Sequence, residues 1–275
     1  MAFTATRLRY LLLTMIGAMV VTCLAGCRPG TEDTSALPFL RPEATSAPPG
    51  AALAKLRAKP PTVNEYWQNA LKETYKSPLE LKAQYETYAK RGLHFRQLMR
   101  GPNKPEIALT FDDGPHPDFT PKLLAILARY HVKATFFLVG EKAEQAPQLV
   151  KAEFAAGHCL GNHTYHHINL TKIPERLVDA EIDACGDVVK GITGQDMHLF
   201  RPPGGDYNRA VAEVVNGMGY TLVLWTDDPG DYASPGATVI EERTLDRVRN
   251  GGIILLHDGV QQTVDVLPQL IESLQ

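Results

Sequence analysis

The sequence predicts an α/β fold: a parallel sheet, open or closed as a barrel, with helices outside and a helical hairpin ahead of it. Three observations lead there. From Glu106 onward, short apolar runs alternate with stretches of helical periodicity, the pattern of repeated βα units. Ionisable clusters follow five of those runs directly, at the strand ends where parallel α/β folds place their sites. The composition sets the class, since 44% apolar and 21% charged residues in a chain of 275 are ordinary globular proportions. They exclude a disordered or collagen-like chain. A net charge of −3 offers nucleic acid no basic surface, so none is expected as a partner. Four cysteines, none in a Cys-x-x-Cys pair, exclude a disulfide scaffold and a zinc ribbon. No internal repeat is visible.

The N-terminus reads as an export signal. Met1 to Tyr10 carries Arg7 and Arg9 and no acid, Tyr10 to Gly26 carries no charge, and Leu24-Ala25-Gly26-Cys27 follows. A basic start, an apolar run and small residues ahead of a cleavage point are the parts of such a signal. Leu-Ala-Gly-Cys resembles a bacterial lipobox, in which the cysteine becomes the lipidated first residue. Residues 1–27 are therefore expected to be a lipoprotein signal peptide, with Cys27 the lipidation site. An uncleaved membrane anchor is the alternative, because the run approaches the ~18 residues of a spanning helix. Both readings place the remainder outside the cytoplasm, in the envelope or periplasm, with the membrane as a partner through its anchor. Residues 28–61, rich in Pro, Ala, Ser, Thr and Gly, read as a semi-extended tether.

Residues 62–104 read as the helical hairpin. Thr62-x-x-Glu65 and Ser77-Pro78-x-Glu80 are capping boxes, the second with proline at the first helical position. Trp67, Leu71 and Tyr75 recur at i, i+4 and i+8, Leu81, Tyr85 and Tyr88 nearly do, and Gly92 closes the second helix. This aromatic stripe is expected to pack on the main domain, residues 105–275. There, strands are expected at Ile107–Phe111, Ala134–Val139, Cys159–Gly161, Met197–Phe200, Thr221–Trp225 and Gly252–Leu256. Helices are expected at Pro121–Tyr130, Pro147–Ala156, Pro174–Gly191, Arg209–Gly217, after a Thr238-x-x-Glu241 start, and at Val264–Leu274. Export permits a Cys159–Cys185 disulfide. Two separate buried thiols are the alternative, and spacing does not decide.

The polar clusters then fall into place. Asp112 and Asp113 follow the first strand; His163, His166 and His167 follow Cys159–Gly161. Arg201 follows Phe200, Asp227, Asp228 and Asp231 follow Trp225, and His257-Asp258 follows Leu256. Singly, each has a plainer reading. Asp-Asp-Gly-Pro suits a turn, and Arg201 could be a surface arginine on a stiff loop. A His163-x-x-x-His167 pair puts two imidazoles on one helical face, as zinc sites do, but His166 offers an i, i+3 alternative. A carboxylate from another strand end would complete a His-His-Asp set with open positions for water, which suits a catalytic metal.

Thr110-Phe111-Asp112-Asp113-Gly114-Pro115, His163-Thr164-x-x-His167, Arg201-Pro202-Pro203-Gly204, Asp228-x-x-Asp231-Tyr232 and Leu255-Leu256-His257-Asp258 occur in this order. Together they resemble the five motifs of the polysaccharide deacetylases, the NodB-homology family, carbohydrate esterase family four. The resemblance implies a distorted (β/α) barrel that removes acetyl groups from N-acetylated sugars, sometimes from O-acetylated ones. It implies a divalent metal, zinc first, with cobalt, nickel or manganese as other choices, held by Asp113, His163 and His167. Asp112 would be the general base, oriented by Arg201. His257 would be the general acid, tuned by Asp231, and the Gly204 N–H would receive the oxyanion. Leu255 alternates onto the strand face of His257, so it either lines the acetyl pocket or belongs to the barrel core.

Three departures from the family pattern stand out. Gly204 replaces a common aromatic, Tyr232 replaces a frequent Trp on the substrate groove, and the chain ends in a helix where one more strand is usual. A missing strand would leave an open edge or an unfilled barrel seam; either the hairpin covers that gap or the chain is truncated. The expected partner is an acetylated polysaccharide, with peptidoglycan ahead of poly-N-acetylglucosamine and chitin. An O-acetyl esterase and a catalytically silent polysaccharide-binding lipoprotein are the alternatives.

Overall fold

Seven strands, all paired in parallel, form one sheet in the computed structural model, which describes residues 65–72 and 74–275. The signal ending at Cys27, the tether at 28–61 and Thr62 lie outside those residues. The strands are β1 (Gln97–Leu98), β2 (Ala108–Gly114), β3 (Thr135–Leu138), β4 (Cys159–Asn162), β5 (Leu199–Phe200), β6 (Thr221–Val223) and β7 (Ile253–His257). They lie in the order β1-β6-β5-β4-β3-β2-β7. Around them run α1 (Glu65–Ala70), α2 (Pro78–Lys90), α3 (Thr120–Arg129), α4 (Gly140–Gln145), α5 (Pro147–Ala155), α6 (Val178–Thr193), α7 (Arg209–Gly217), α8 (Ala237–Arg247) and α9 (Gln261–Leu274). Strands β2, β3 and β7 are buried on both faces, which is why they read as apolar runs and not as alternating ones.

The barrel seam is filled from the other end of the chain. β1 pairs with β6, Gln97 opposite Leu222 and Leu98 opposite Val223. Gly101 N–H then donates to the Gly251 carbonyl at 2.8 Å, so this segment runs from β6 toward the start of β7. Gly251 is glycine of necessity: its φ is +72° and a Cβ would lie 2.4 Å from the Pro102 carbonyl oxygen. Beyond β6, Leu255 N–H donates to the Asp227 carbonyl at 2.9 Å, which ties the next turn straight to β7. The opening between β6 and β7 is thus bridged by these two segments.

The hairpin departs from its expected form. The second helix keeps its capping box: Glu80 N–H donates to Ser77 Oγ at 3.3 Å, and Ser77 N–H to Glu80 Oε2 at 2.8 Å. The first helix stops at Ala70, whose carbonyl accepts from Asn169 N–H at 2.8 Å instead of serving a further helical turn. Leu71 is therefore exposed and Tyr75 lies outside any helix. Ala70 and Leu81 still join the main core, with Trp67 and Tyr88 packed against it.

Other boundaries shift for local reasons. Helix α6 starts at Val178, after two 3₁₀ turns at Leu170–Lys172 and Glu175–Leu177, and ends at left-handed Gly194, not at Gly191. Helix α8 does not use a Thr238 cap. Gly236 precedes it with no side-chain cap, and its N–H donates to Gln262 Oε1 at 2.7 Å. Helix α4, six residues long, is too short for periodicity to announce. Cys185 is a free, buried thiol, so the Cys159–Cys185 bridge is not made; burial pushes that thiol up to about 12.

Candidate active site and metal centre

Residues from all five clusters meet at the C-terminal ends of the strands, but Asp227 does not: its carboxylate takes the Thr226 hydroxyl and lies by Gly252, at the start of β7. Asp112 lies near the end of β2 on the same face as Thr110, and both meet Arg201, which follows β5. Arg201 Nη1 donates to Asp112 Oδ1 at 2.6 Å and to Thr110 Oγ1 at 2.7 Å, and the Thr110 hydroxyl donates onward to the Ile254 carbonyl at 2.7 Å. The guanidinium is wholly buried, 4.1 Å over the Phe137 ring and 5.6 Å from that of Trp225. Arg201 is not a surface residue. It holds the Asp112 carboxylate from inside the barrel.

Asp113, His163 and His167 bring one ligand atom each to within 4.8 Å of one another. Asp113 Oδ1 lies 3.4 Å from His163 Nε2 and 3.0 Å from His167 Nε2. The histidines do not share a helical face. β4 ends at Asn162, and the loop turns back through Thr164 and His167, both at positive φ. Asn162 Oδ1 accepts from Thr164 N–H at 2.9 Å and fixes that turn. His163 Nδ1 is 2.7 Å from the Arg201 carbonyl, which commits the ring to presenting Nε2. His166 turns away to Glu181, with Nδ1 2.7 Å from Oε1, which settles the choice between the two pairs in favour of His163 and His167.

On β7, the strand adjacent to β2, His257 is organised by buried Asp231. His257 Nδ1 is 2.7 Å from Asp231 Oδ1, while Oδ2 accepts from the His257 N–H at 2.7 Å and the Thr263 hydroxyl at 2.6 Å. Nδ1 is thereby the donor to Asp231, and Nε2 is left for the site. Burial pulls the imidazole down, but Asp231 and the charges of Asp113 and Asp112 outweigh it and carry it up to about 9. The raised imidazole and the Arg201-held carboxylate thus sit on neighbouring strands, His257 opposite Asp112 in the β2–β7 register.

The family model described as polysaccharide deacetylase matches residues 100–223. A peptidoglycan-N-acetylglucosamine deacetylase of Bacillus cereus is 38% identical over 179 residues, which cover 63% of this chain and 83% of that one. The chain belongs to the polysaccharide deacetylase family. A chitooligosaccharide deacetylase of Sinorhizobium fredii is 36% identical over 188 residues, covering 63% of this chain and 87% of its own. The solved structure of the Bc1960 peptidoglycan N-acetylglucosamine deacetylase with a naphthalenyl N-oxidanyl-benzamide superposes with a TM-score of 0.65 at 35% identity. That match covers 68% of this chain and 89% of the other. The sheet is therefore this family's (β/α) barrel.

Deacetylases of this family use a divalent metal, and the residues of this polysaccharide deacetylase fit one. Asp113 Oδ1 is buried with no hydrogen bond among the described residues, although two imidazole nitrogens stand beside it. Burial alone would push the Asp113 carboxyl up; His167, His163 and His257 outweigh that and hold it well below the ordinary carboxylate range. An ionised acceptor and two convergent Nε2 atoms form a donor set for a cation. Lys142 Nζ donates to the Asp113 carbonyl at 2.7 Å and secures the positive-φ turn that aims the carboxylate.

The remaining expected residues are placed as follows. Leu255 is fully buried, opposite Thr110 in the β2–β7 register. Gly204 sits at φ +62° in a 3₁₀ turn, Pro203–Gly205. Tyr232 stands at the site, 5.4 Å from the His257 ring, but its face is taken by Tyr75 at 4.0 Å. Spacing alone places Tyr75 in a helical stripe, not at the site. Glu181 gave no signal beyond a helical acid, because its partner lies 15 residues away in a loop.

Proposed function

We propose that this deacetylase removes N-acetyl groups from an N-acetylglucosamine polymer, releasing acetate, with peptidoglycan first and poly-N-acetylglucosamine or chitin next. The observation that carries this reading is the pair of proton-transfer groups, Asp112 on Arg201 and His257 on Asp231, set on neighbouring strands beside one ligand cluster. The relatives named for peptidoglycan and chitooligosaccharides support the substrate class.

Asp113, His163 and His167 would hold the divalent ion, zinc by the N₂O donor set, which supplies a Lewis acid for the acetyl carbonyl and lowers the pKa of water. Asp112 Oδ1 is occupied by Arg201, and Oδ2 stands 3.7 Å from His163 Nε2, placed to take the proton of the attacking water. The Gly204 N–H receives the carbonyl oxygen as it gains charge. His257 gives its Nε2 proton to the departing amine, and Asp231 stabilises the cationic ring until then. The C–N bond breaks, water supplies the hydroxyl of the acid, and a free amine and acetate result.

An exported lipoprotein anchored at Cys27 would hold this site within reach of the cell wall; the Leu24–Cys27 signal and the tether at 28–61 support that placement. The test is acetate release by the full chain in detergent from peptidoglycan and N-acetylglucosamine oligomers. Release should stop with chelator and return with zinc or cobalt. A metal-replete protein that releases no acetate from any of these substrates overturns the reading.

A further inference from the structure

Residues Thr74–Lys76, from the segment joining the two hairpin helices, lie against three groups that the chemistry above turns toward the substrate. A Cβ at Gly204 would fall 1.6 Å from the Thr74 carbonyl oxygen, so glycine at 204 is what admits this backbone. The Tyr75 ring stacks on Tyr232 with centroids 4.0 Å apart and planes 9° apart, and meets His257 edge-on at 5.7 Å. Lys76 N–H donates to the Gly204 carbonyl at 2.9 Å.

The segment is held firmly. The Lys76 ammonium is 2.9 Å from Asp206 Oδ1 and donates to Gln84 Oε1 at 2.6 Å. Asp206 is in turn bound by Asn169 Nδ2 at 2.8 Å, and Asn169 N–H holds the Ala70 carbonyl on the far side. A small pocket beside it is bounded by Thr74, Tyr75, His167, Pro203 and Gly204 among others. The departures at 204 and 232 are therefore linked: one makes room for Thr74, and the other is the platform for Tyr75.

We propose that Thr74–Lys76 forms an end wall of the substrate cleft, with Tyr75 as its specificity-determining side chain. Within the proposed polymer class, the enzyme then acts at chain ends and on short N-acetylglucosamine fragments, and excludes the interior of a long chain. This rests on the deacetylase reading. An interior sugar carries neighbours on both sides and needs a groove open past Gly204, Tyr232 and His257 in both directions. A chain end needs one opening only. A wall of backbone and aromatic ring, pinned by an ion pair, costs nothing to a terminal sugar and clashes with a continuing chain.

The test compares the metal-loaded full chain with Tyr75→Ala and with Lys76→Ala, on an N-acetylglucosamine pentamer and on soluble high-molecular-weight chitin. Mass spectrometry locates each free amine. The wild-type protein should deacetylate terminal residues of the pentamer, and both variants should raise the polymer-to-pentamer ratio of kcat/KM by about tenfold, the scale of one pocket contact. Calorimetric binding of both substrates to metal-loaded Asp112→Asn, with and without Tyr75→Ala, should show the same discrimination without turnover. Interior deacetylation by the wild type overturns the proposal. So does an equal change on both substrates in the variants, which would make Tyr75 a general cover or a mere packing residue. Absence of acetate release from every substrate, with binding discrimination intact, would instead remove the deacetylase reading and leave the wall.

Discussion

Arg201 is bound to Asp112 through a 2.6 Å contact while its guanidinium plane lies 4.1 Å over the face of Phe137, entirely out of water. A buried pair of this kind is held by geometry and desolvation together, and removing one partner leaves an uncompensated charge. Asp112→Asn should lower turnover by about 10²–10⁴-fold, the range for a lost general base, with metal content unchanged because Asp112 is not in the ligand set. Arg201→Met should instead cost about 3–5 kcal/mol of stability. Arg201→Lys keeps the charge without the planar fork and should recover only part of it. Turnover with metal analysis checks the first, and thermal or denaturant unfolding checks the other two. Near-normal turnover of a metal-replete Asp112→Asn protein would remove the base assignment.

His166 and His167 are adjacent in sequence and separate in role. His166 is tied to buried Glu181, while His167 Nε2 faces Asp113. His167→Gln should lose bound metal on dialysis against a mild chelator, and activity with it. His166→Gln should retain one metal per chain, with a lower melting temperature because Glu181 Oε1 loses its imidazole partner while Oε2 keeps its two backbone N–H donors. Elemental analysis of both proteins decides, and metal loss from both alike would contradict the loop geometry.

The His257–Asp231 pair gives the rate an alkaline limit. The folded-state pKa of His257 is raised to about 9 from an ordinary 6.5, so the proton donor is present through neutral pH and is lost as pH passes the raised value. Stability follows the same sign. The pair's contribution is complete below the ordinary histidine value and disappears as pH rises through about 9. Asp231→Asn should shift the alkaline limb of kcat to lower pH and flatten the loss of stability across that window. A pH–rate profile with an unmoved alkaline limb would show that another group sets it.

Much of the site was legible because its residues follow apolar strands directly. Asp112, Asp113, Arg201 and His257 each stand at or just beyond the end of a buried run. What periodicity cannot see is a contact made far along the chain. The stripe Trp67, Leu71, Tyr75 fits a helix, yet Asn169 takes the Ala70 carbonyl and the helix ends there. The pair His163 and His167 likewise fits a helical face, but Asn162 and two positive-φ residues bring the rings together in a loop. β1 has two residues, too few to alternate, and only its pairing with β6 makes it a strand.

Glu153 poses the last test, away from the catalysis. It lies on α5, fully buried, and neither carboxylate oxygen has a hydrogen-bond partner among the described residues. Burial first, and the charge of Asp258 second, hold its pKa well above the ordinary value; burial also pushes Asp258 up to about 7. Glu153 is therefore protonated in the folded protein, while the unfolded chain ionises it above its ordinary pKa. Folding then loses stability as pH rises from that value, because the native state binds the extra proton. Glu153→Met, similar in length and apolar, should stabilise the protein at neutral pH by about 1–3 kcal/mol, the cost of an unpaired buried polar group. The gain should shrink as pH falls below the ordinary glutamate range. Denaturant unfolding at acidic and neutral pH measures it, and a gain independent of pH would show that packing, not protonation, is what the substitution relieves.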